Sequence, residues 1–223
     1  MKTLAAAPLL LSLILSADAQ AAEREWIPYR KLVDTVKADK FYALPMGERD
    51  KVILYARLIP VNKAIAPGDV KLVVVDGTNR TPLPLDAAGR TRIVPNQQWL
   101  ASDARIWTSL PASEKSAASF DIGAVLPEAM QWHYASVMGA VPQANAAIGK
   151  VAGAFSVFVP TMKSVIFKFD KPAQISIKTK DGERRYATDA KHQVRLKLDK
   201  DLLKENPLVA LSERPFEAEI DSE

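Results

Sequence analysis

Apolar positions along this chain change period in a fixed order, and the order is written twice. Near the start, Tyr29, Leu32, Val33 and Val36 fall at i, i+3, i+4 and i+7, one face of a helix, with Pro28 suited to a first helical position. Tyr134, Val137, Met138 and Val141 repeat that face at a constant offset. A tryptophan opens each stretch, Trp26 and Trp132. Strand-like runs follow, Val52-Ile53-Leu54 in the first copy and Val165-Ile166-Phe167 in the second. Val70, Leu72 and Val74 then alternate, as do Ile175, Ile177 and Thr179, and the runs end at Asp76-Gly77 and Asp181-Gly182. Asp-Gly between strand-like runs predicts a tight hairpin, because the turn needs residues that tolerate positive φ.

The third block matches most closely. Asn96-Gln97-Gln98-Trp99-Leu100 aligns with Asp199-Lys200-Asp201-Leu202-Leu203, in each case a cap residue followed by a helical turn. Arg105 to Ser109 parallels Leu208 to Ser212, Pro111 and Pro215 follow, and strand-like runs close the copies at Ser119–Ile122 and Phe216–Ile220. The expectation is an α+β chain of two tandem β-rich modules, sandwich-like and antiparallel, each opening with a helix and arising by internal duplication. Their bounds are 23–126 and 127–223. Trp99 aligns with Leu202 and Trp107 with Ala210, so both tryptophans read as packing residues.

The copies differ in two places. Between Val141 and Phe155 the second carries an insertion, a predicted helix over about 142–154 with Ile148, Val151, Ala152, Phe155 and Val159 as an apolar stripe beside Asn145, Gly149, Lys150 and Ser156. It reads as a helix packed between the copies, as a lid over an apolar ligand, or as an interfacial membrane contact, the last weakened by few basic residues on its polar face. Gly149 and Gly153 have small-xxx-small spacing, but Lys150 lies between them and prolines bracket the segment, which excludes a transmembrane dimer motif. The second difference is the basic hairpin of Lys178, Lys180, Arg184 and Arg185, in which Lys178 and Lys180 align with the apolar Val73-Val74-Val75. It faces either water or an anionic partner such as a phosphate-bearing envelope glycan.

The first 22 residues add a compartment. Lys2 precedes an apolar core from Leu4 to Leu15, and Ala17-Asp18-Ala19 and Ala19-Gln20-Ala21 fit small-x-small cleavage. This predicts a cleaved signal peptide over 1–22 and a periplasmic or secreted product. The net charge of +4 does not by itself imply nucleic acid. With no cysteine in 223 residues, disulfides are excluded and stability must rest on burial, which 48% hydrophobic residues allow.

Chemistry is sparse. His133 and His192 have no metal-ligand spacing, and no nucleophile elbow, zinc-protease motif or phosphate loop occurs. Carboxylate pairs assembled in space, as in glycosidases, stay open. The residues singled out for partner or ligand contact are Trp132, His133, Ile148, Lys150, Val151, Phe155, Lys178, Lys180, Arg184 and Arg185. No catalytic residue, metal or cofactor is assigned.

The blocks from Val94 to Pro111 and Leu198 to Pro215, with their Leu-Leu-x-Glu-Asn-Pro-Leu-Val character, resemble segments of uncharacterised exported proteobacterial proteins. That resemblance implies secretion and fold but no activity. The size and two-module plan are also similar to pilus-assembly chaperones, from which the opening helices depart. The leading expectation is a non-catalytic periplasmic binding or assembly module, with an envelope protein or anionic glycan as partner. A carrier for an apolar or glycan ligand, lidded by the inserted helix, is the alternative, and a wall-glycan enzyme the third.

Overall fold

The computed structural model describes residues 23–153 and 159–223. The predicted signal peptide, and Phe155 of the inserted stripe, lie outside the described residues.

Helix and antiparallel strand are interleaved throughout. The first half runs β1 (Arg24–Pro28), α1 (Tyr29–Thr35), α2 (Ala38–Ala43), β2 (Val52–Pro60), β3 (Leu72–Asp76), β4 (Asn79–Pro82), β5 (Arg90–Arg92), α3 (Gln97–Ala101), β6 (Arg105–Thr108) and β7 (Ser116–Ala124). The second runs β8 (Gln131–His133), α4 (Tyr134–Met138), α5 (Ala140–Ala152), β9 (Ser164–Lys168), β10 (Gln174–Thr179), β11 (Gly182–Ala187), β12 (Gln193–Lys197), α6 (Lys200–Glu205), β13 (Leu208–Leu211) and β14 (Glu217–Asp221). A short strand therefore precedes the helix expected to open each half. Trp26 and Trp132 lie in these strands, β1 pairs with β6 and β8 with β13, and the helix begins only once that pairing is satisfied.

The strand orders correspond. One four-stranded sheet runs β1-β6-β3-β4 and another β8-β13-β10-β11, while the six-stranded third runs β5-β2-β7-β14-β9-β12, three strands from each half. At its middle β7 and β14 meet through a single registered pair, Gly123 opposite Glu219.

Local bonds correspond as well. The Tyr29 amide donates to Ala104 O and the Tyr134 amide to Pro207 O, both at 2.9 Å. Each tyrosine hydroxyl donates to one carbonyl, Val94 or Lys197, and accepts from the amide two residues on, Asn96 or Asp199. Ser109 Oγ accepts the Lys71 amide at 2.9 Å, and Ser212 Oγ accepts the Gln174 amide at 2.8 Å. In both halves the tyrosine is buried by its ring and held by its hydroxyl, which ties the helical stripe to the segment that precedes the cap.

One register differs from the sequence alignment. Leu72 and Val74 stand opposite Thr108 and Ile106, as Ile175 and Ile177 stand opposite Leu211 and Val209, so Ile175 matches Leu72 and not Val70. Asp76 pairs with Asn79, leaving Gly77-Thr78 as the loop, whereas Thr179 pairs with Gly182, leaving Lys180-Asp181. The two Asp-Gly dipeptides thus occupy different turn positions. Gly77 has φ of 58° and Gly182 of 128°, so both glycines serve positive φ but two positions apart, Gly77 inside its loop and Gly182 at the far end of its loop.

Buried apolar residues form one contiguous core drawn from both halves. Tyr29, Leu32, Val33 and Val36 are all at most 2% exposed, as their spacing predicts. Trp99 packs edge-to-face on Tyr29 at 5.2 Å. Trp107 is only half-buried and faces outward, with the Arg80 guanidinium 5.9 Å from its ring, so it is not the core residue expected.

Candidate functional site

An apolar cleft of about 330 Å³ opens where α5 of the second half crosses the first. Its floor is Val52 and Leu54 of β2 with Phe120 and Ile122 of β7, residues that alternation turns to one side of the sheet. Its roof is Ala144, Ala147, Ile148 and Val151 of α5. The buried face of α5 is built from Ala140, Val141, Ala144 and Ala147. Alanines let the helix sit close at its first turns but cannot fill the space that opens between helix and sheet further along. The volume falls within the roughly 300–1,000 Å³ of small-molecule sites.

The helix is tied to both halves by its polar face. Gln143 Oε1 accepts the Lys51 amide at 2.8 Å, while its Nε2 donates to Gly47 O and to Asp50 Oδ1 at 2.7 Å. That bond holds the Asp50 carboxyl below its ordinary range, with a smaller contribution from Lys51. Asn145 clamps Met162 by donating to its carbonyl at 3.0 Å and accepting its amide at 2.8 Å. Lys150 pairs with Glu48 at 2.6 Å.

At the mouth stand Thr35, Lys37 and Lys40. Lys37 sits between α1 and α2 with φ of 55° and ψ of 33°, a left-handed conformation uncommon for a lysine. Both lysines are exposed, and among the described residues no carboxylate lies within ion-pair distance of either or lines the cleft.

The residues selected from sequence divide among several places. Ile148 and Val151 line the cleft, Lys150 flanks it on the outer face of the helix, and Phe155 lies outside the described residues. Trp132 is 6% exposed and stacks on Phe167 at 6.3 Å, deep in the second half. His133 is exposed, its Nδ1 3.0 Å from Asn206 O. None of the four residues of the basic hairpin lines the cleft, and their strands belong to a different sheet from its floor. Lys178 faces water opposite Glu183, Lys180 is a turn residue whose amide donates to Glu205, Arg184 pairs with Asp199 at 3.2 Å and Arg185 with Glu183 at 2.6 Å. In the corrected register Lys178 corresponds to Val75 and Lys180 to Gly77. Two of the four cations are thus already neutralised by carboxylates. A second, more open cleft of about 670 Å³ lies beside Tyr134 and Leu202, where Leu202 replaces the bulk that Trp99 supplies beside Tyr29.

Sequence reasoning did not find the mouth lysines, because a lysine after a helical stripe carries no mark of a left-handed backbone. Nor did it find the ion network on the outer face of the six-stranded sheet. There Arg90, only 6% exposed in its side chain, bridges Asp86 at 2.8 Å and Glu217, and Lys168 bridges Glu217 at 3.1 Å and Glu219. Burial pushes the Glu217 carboxyl up, but Arg90 and then Lys168 outweigh it and hold the group below its ordinary range. Asp121 goes the other way: burial raises it more than Arg57 and Arg90 lower it. Among the described residues no group of three or more His, Cys, Asp or Glu is placed to hold a metal ion, and no helix is long and apolar enough to cross a membrane.

No protein-family model matches the chain, and no match is found among curated proteins or solved structures.

Proposed function

We propose that this chain is a non-catalytic binding protein of the cell envelope, exported by its first 22 residues, that carries an apolar ligand in the cleft beneath Ala140–Ala152. On this reading the chain is two copies of one sandwich-like unit, and the helix that only the second copy carries in extended form has become the roof of a site floored by the first. The carrying observation is the alanine-faced helix held over an apolar sheet surface with a cavity of about 330 Å³ between them. Apolar walls with a few polar groups at the rim are the usual composition of a small-molecule site. The matching strand orders and tyrosine bridges favour the duplication.

An anionic glycan on the basic hairpin fits less well, because Arg184 and Arg185 already have carboxylate partners. A wall-glycan enzyme also fits less well, since Asp121, Glu217 and Glu219 each pair with arginine or lysine.

An uncharged naphthylamine fluorophore, which brightens in apolar surroundings, tests the cleft. Ala147→Leu places a larger side chain in the cavity and Val151→Asp places a charge on its roof. Both are expected to abolish brightening with far-UV circular dichroism unchanged. Brightening that persists undiminished in both would show that the cleft is not the site.

A further inference from the structure

Resting on that reading, we propose that the ligand is a free single-chain amphiphile with an anionic head, its alkyl chain in the cleft and its head held at the mouth by Lys37 and Lys40. Three observations converge on it. The cleft is lined by apolar side chains except at one end, where Thr35, Lys37 and Lys40 are the polar lining. Neither lysine has a carboxylate within ion-pair distance among the described residues, and no described residue lining the cleft is an anion. Lys37 also holds a left-handed backbone that glycine or asparagine would adopt at less cost. A strained residue at the rim of a cavity fits a role for its side chain there, since the position alone does not call for lysine.

The chemistry sets the selectivity. An alkyl chain gains from burial at every methylene, about fourfold in affinity each, while the head must stay at the rim because among the described residues the only polar lining side chains are Thr35, Lys37 and Lys40. A carboxylate or phosphate monoester there meets two ammonium groups and the Thr35 hydroxyl. A quaternary ammonium head meets like charge. A two-chain lipid is disfavoured by the modest volume.

Isothermal titration of the exported chain, residues 23–223, with dodecanoate and with dodecyltrimethylammonium, chains of equal length and opposite charge, tests the proposal. Dodecanoate is expected to bind about tenfold tighter, with that preference shrinking as salt screens the lysines. The double variant Lys37→Gly with Lys40→Gln removes both charges and relieves the left-handed strain, so its urea midpoint should not fall. It should lose the preference for dodecanoate while binding the uncharged naphthylamine fluorophore within about twofold of the parent chain. Equal binding of the two amphiphiles, or a preference that survives the double variant, overturns the anionic-head proposal but leaves the apolar cleft standing. Failure to bind either amphiphile or the fluorophore overturns both. Co-pelleting with phosphatidylglycerol vesicles that the double variant abolishes would assign the lysines to a membrane surface and overturn the free-ligand proposal.

Discussion

Arg90 is the residue on which the outer face of the six-stranded sheet is organised. Its guanidinium lies 5.1 Å from the Tyr55 ring centroid, donates to Asp86 four residues before it, and reaches Glu217, 127 residues away in the chain. A buried charge of this kind is tolerated only while its partners stay ionised. Glu217, Asp86 and Asp221 all titrate below their ordinary range in the fold, because arginine hydrogen bonds outweigh the upward push of burial. A carboxyl with a lowered folded pKa binds fewer protons folded than unfolded. Its contribution is complete above the unfolded value, about 3.9–4.3, and is lost as pH falls through the folded value. Asp121, raised by burial, has the opposite sign and destabilises at neutral pH. With Asp50, Glu183, Asp199 and Glu213 also held low at the surface, the lowered carboxyls outnumber the raised one and predict a urea midpoint that falls steadily below about pH 5. Glu217→Gln should lower stability by about 2–3 kcal/mol at pH 7, leaving Arg90 with Asp86 alone, and should flatten that acid slope. Urea titrations of both proteins at pH 7, 5 and 3.5 check the expectation. Nothing in the sequence pointed to this network. Its members are scattered charges on alternate strand positions, and alternation says which way a side chain faces but not which strand lies beside it.

At the scale of elements, legibility tracked how local the controlling physics is. The helical stripes, the Asn96 and Asp199 caps and the strand-like runs were readable because each depends on neighbours a few residues away. Asn96 accepts the Trp99 amide, and Asp199 the amides of Asp201 and Leu202, as the cap pattern implies. Both Asp-Gly hairpins form, but aligning the halves on that dipeptide misplaces one against the other, because pairing across β3 and β6 or β10 and β13 decides where the turn falls. For α5, spacing identified an apolar stripe but could not say what it faces. The answer lies in Gln143, whose amide group receives the Lys51 N–H and reaches Gly47 and Asp50. Gln143→Ala leaves that half-buried N–H without its partner and should cost about 1–2 kcal/mol. Because the bond docks the second half's helix on the first half's loop, hydrogen exchange should accelerate at Lys51 and through the first turns of α5 but not in β10 or β11. Uniform acceleration across the chain would mean that Gln143 acts only on global stability.

For the whole molecule, the decisive feature is that β7 and β14 lie side by side, so the halves share a sheet. Only one registered pair joins those strands, a weak seam if backbone pairing alone held it. Three further ties cross it. α5 packs on β2 and β7, Arg90 of β5 pairs with Glu217 of β14, and the buried apolar residues of both halves form one cluster. Removing the second half would strip the roof from Leu54 and Val52 and expose a strand edge at β7, an arrangement proteins avoid. The halves should therefore unfold together. Tryptophan placement makes this measurable: three of the four, Trp26, Trp99 and Trp107, belong to the first half. In a Trp132→Phe variant, tryptophan fluorescence reports the first half alone while far-UV circular dichroism reports both. Urea transitions followed by the two signals should superimpose, with one midpoint and one slope. A fluorescence transition displaced from the dichroism curve would mean that one half unfolds before the other, and the cleft floored by the first half and roofed by the second would be lost at the earlier transition.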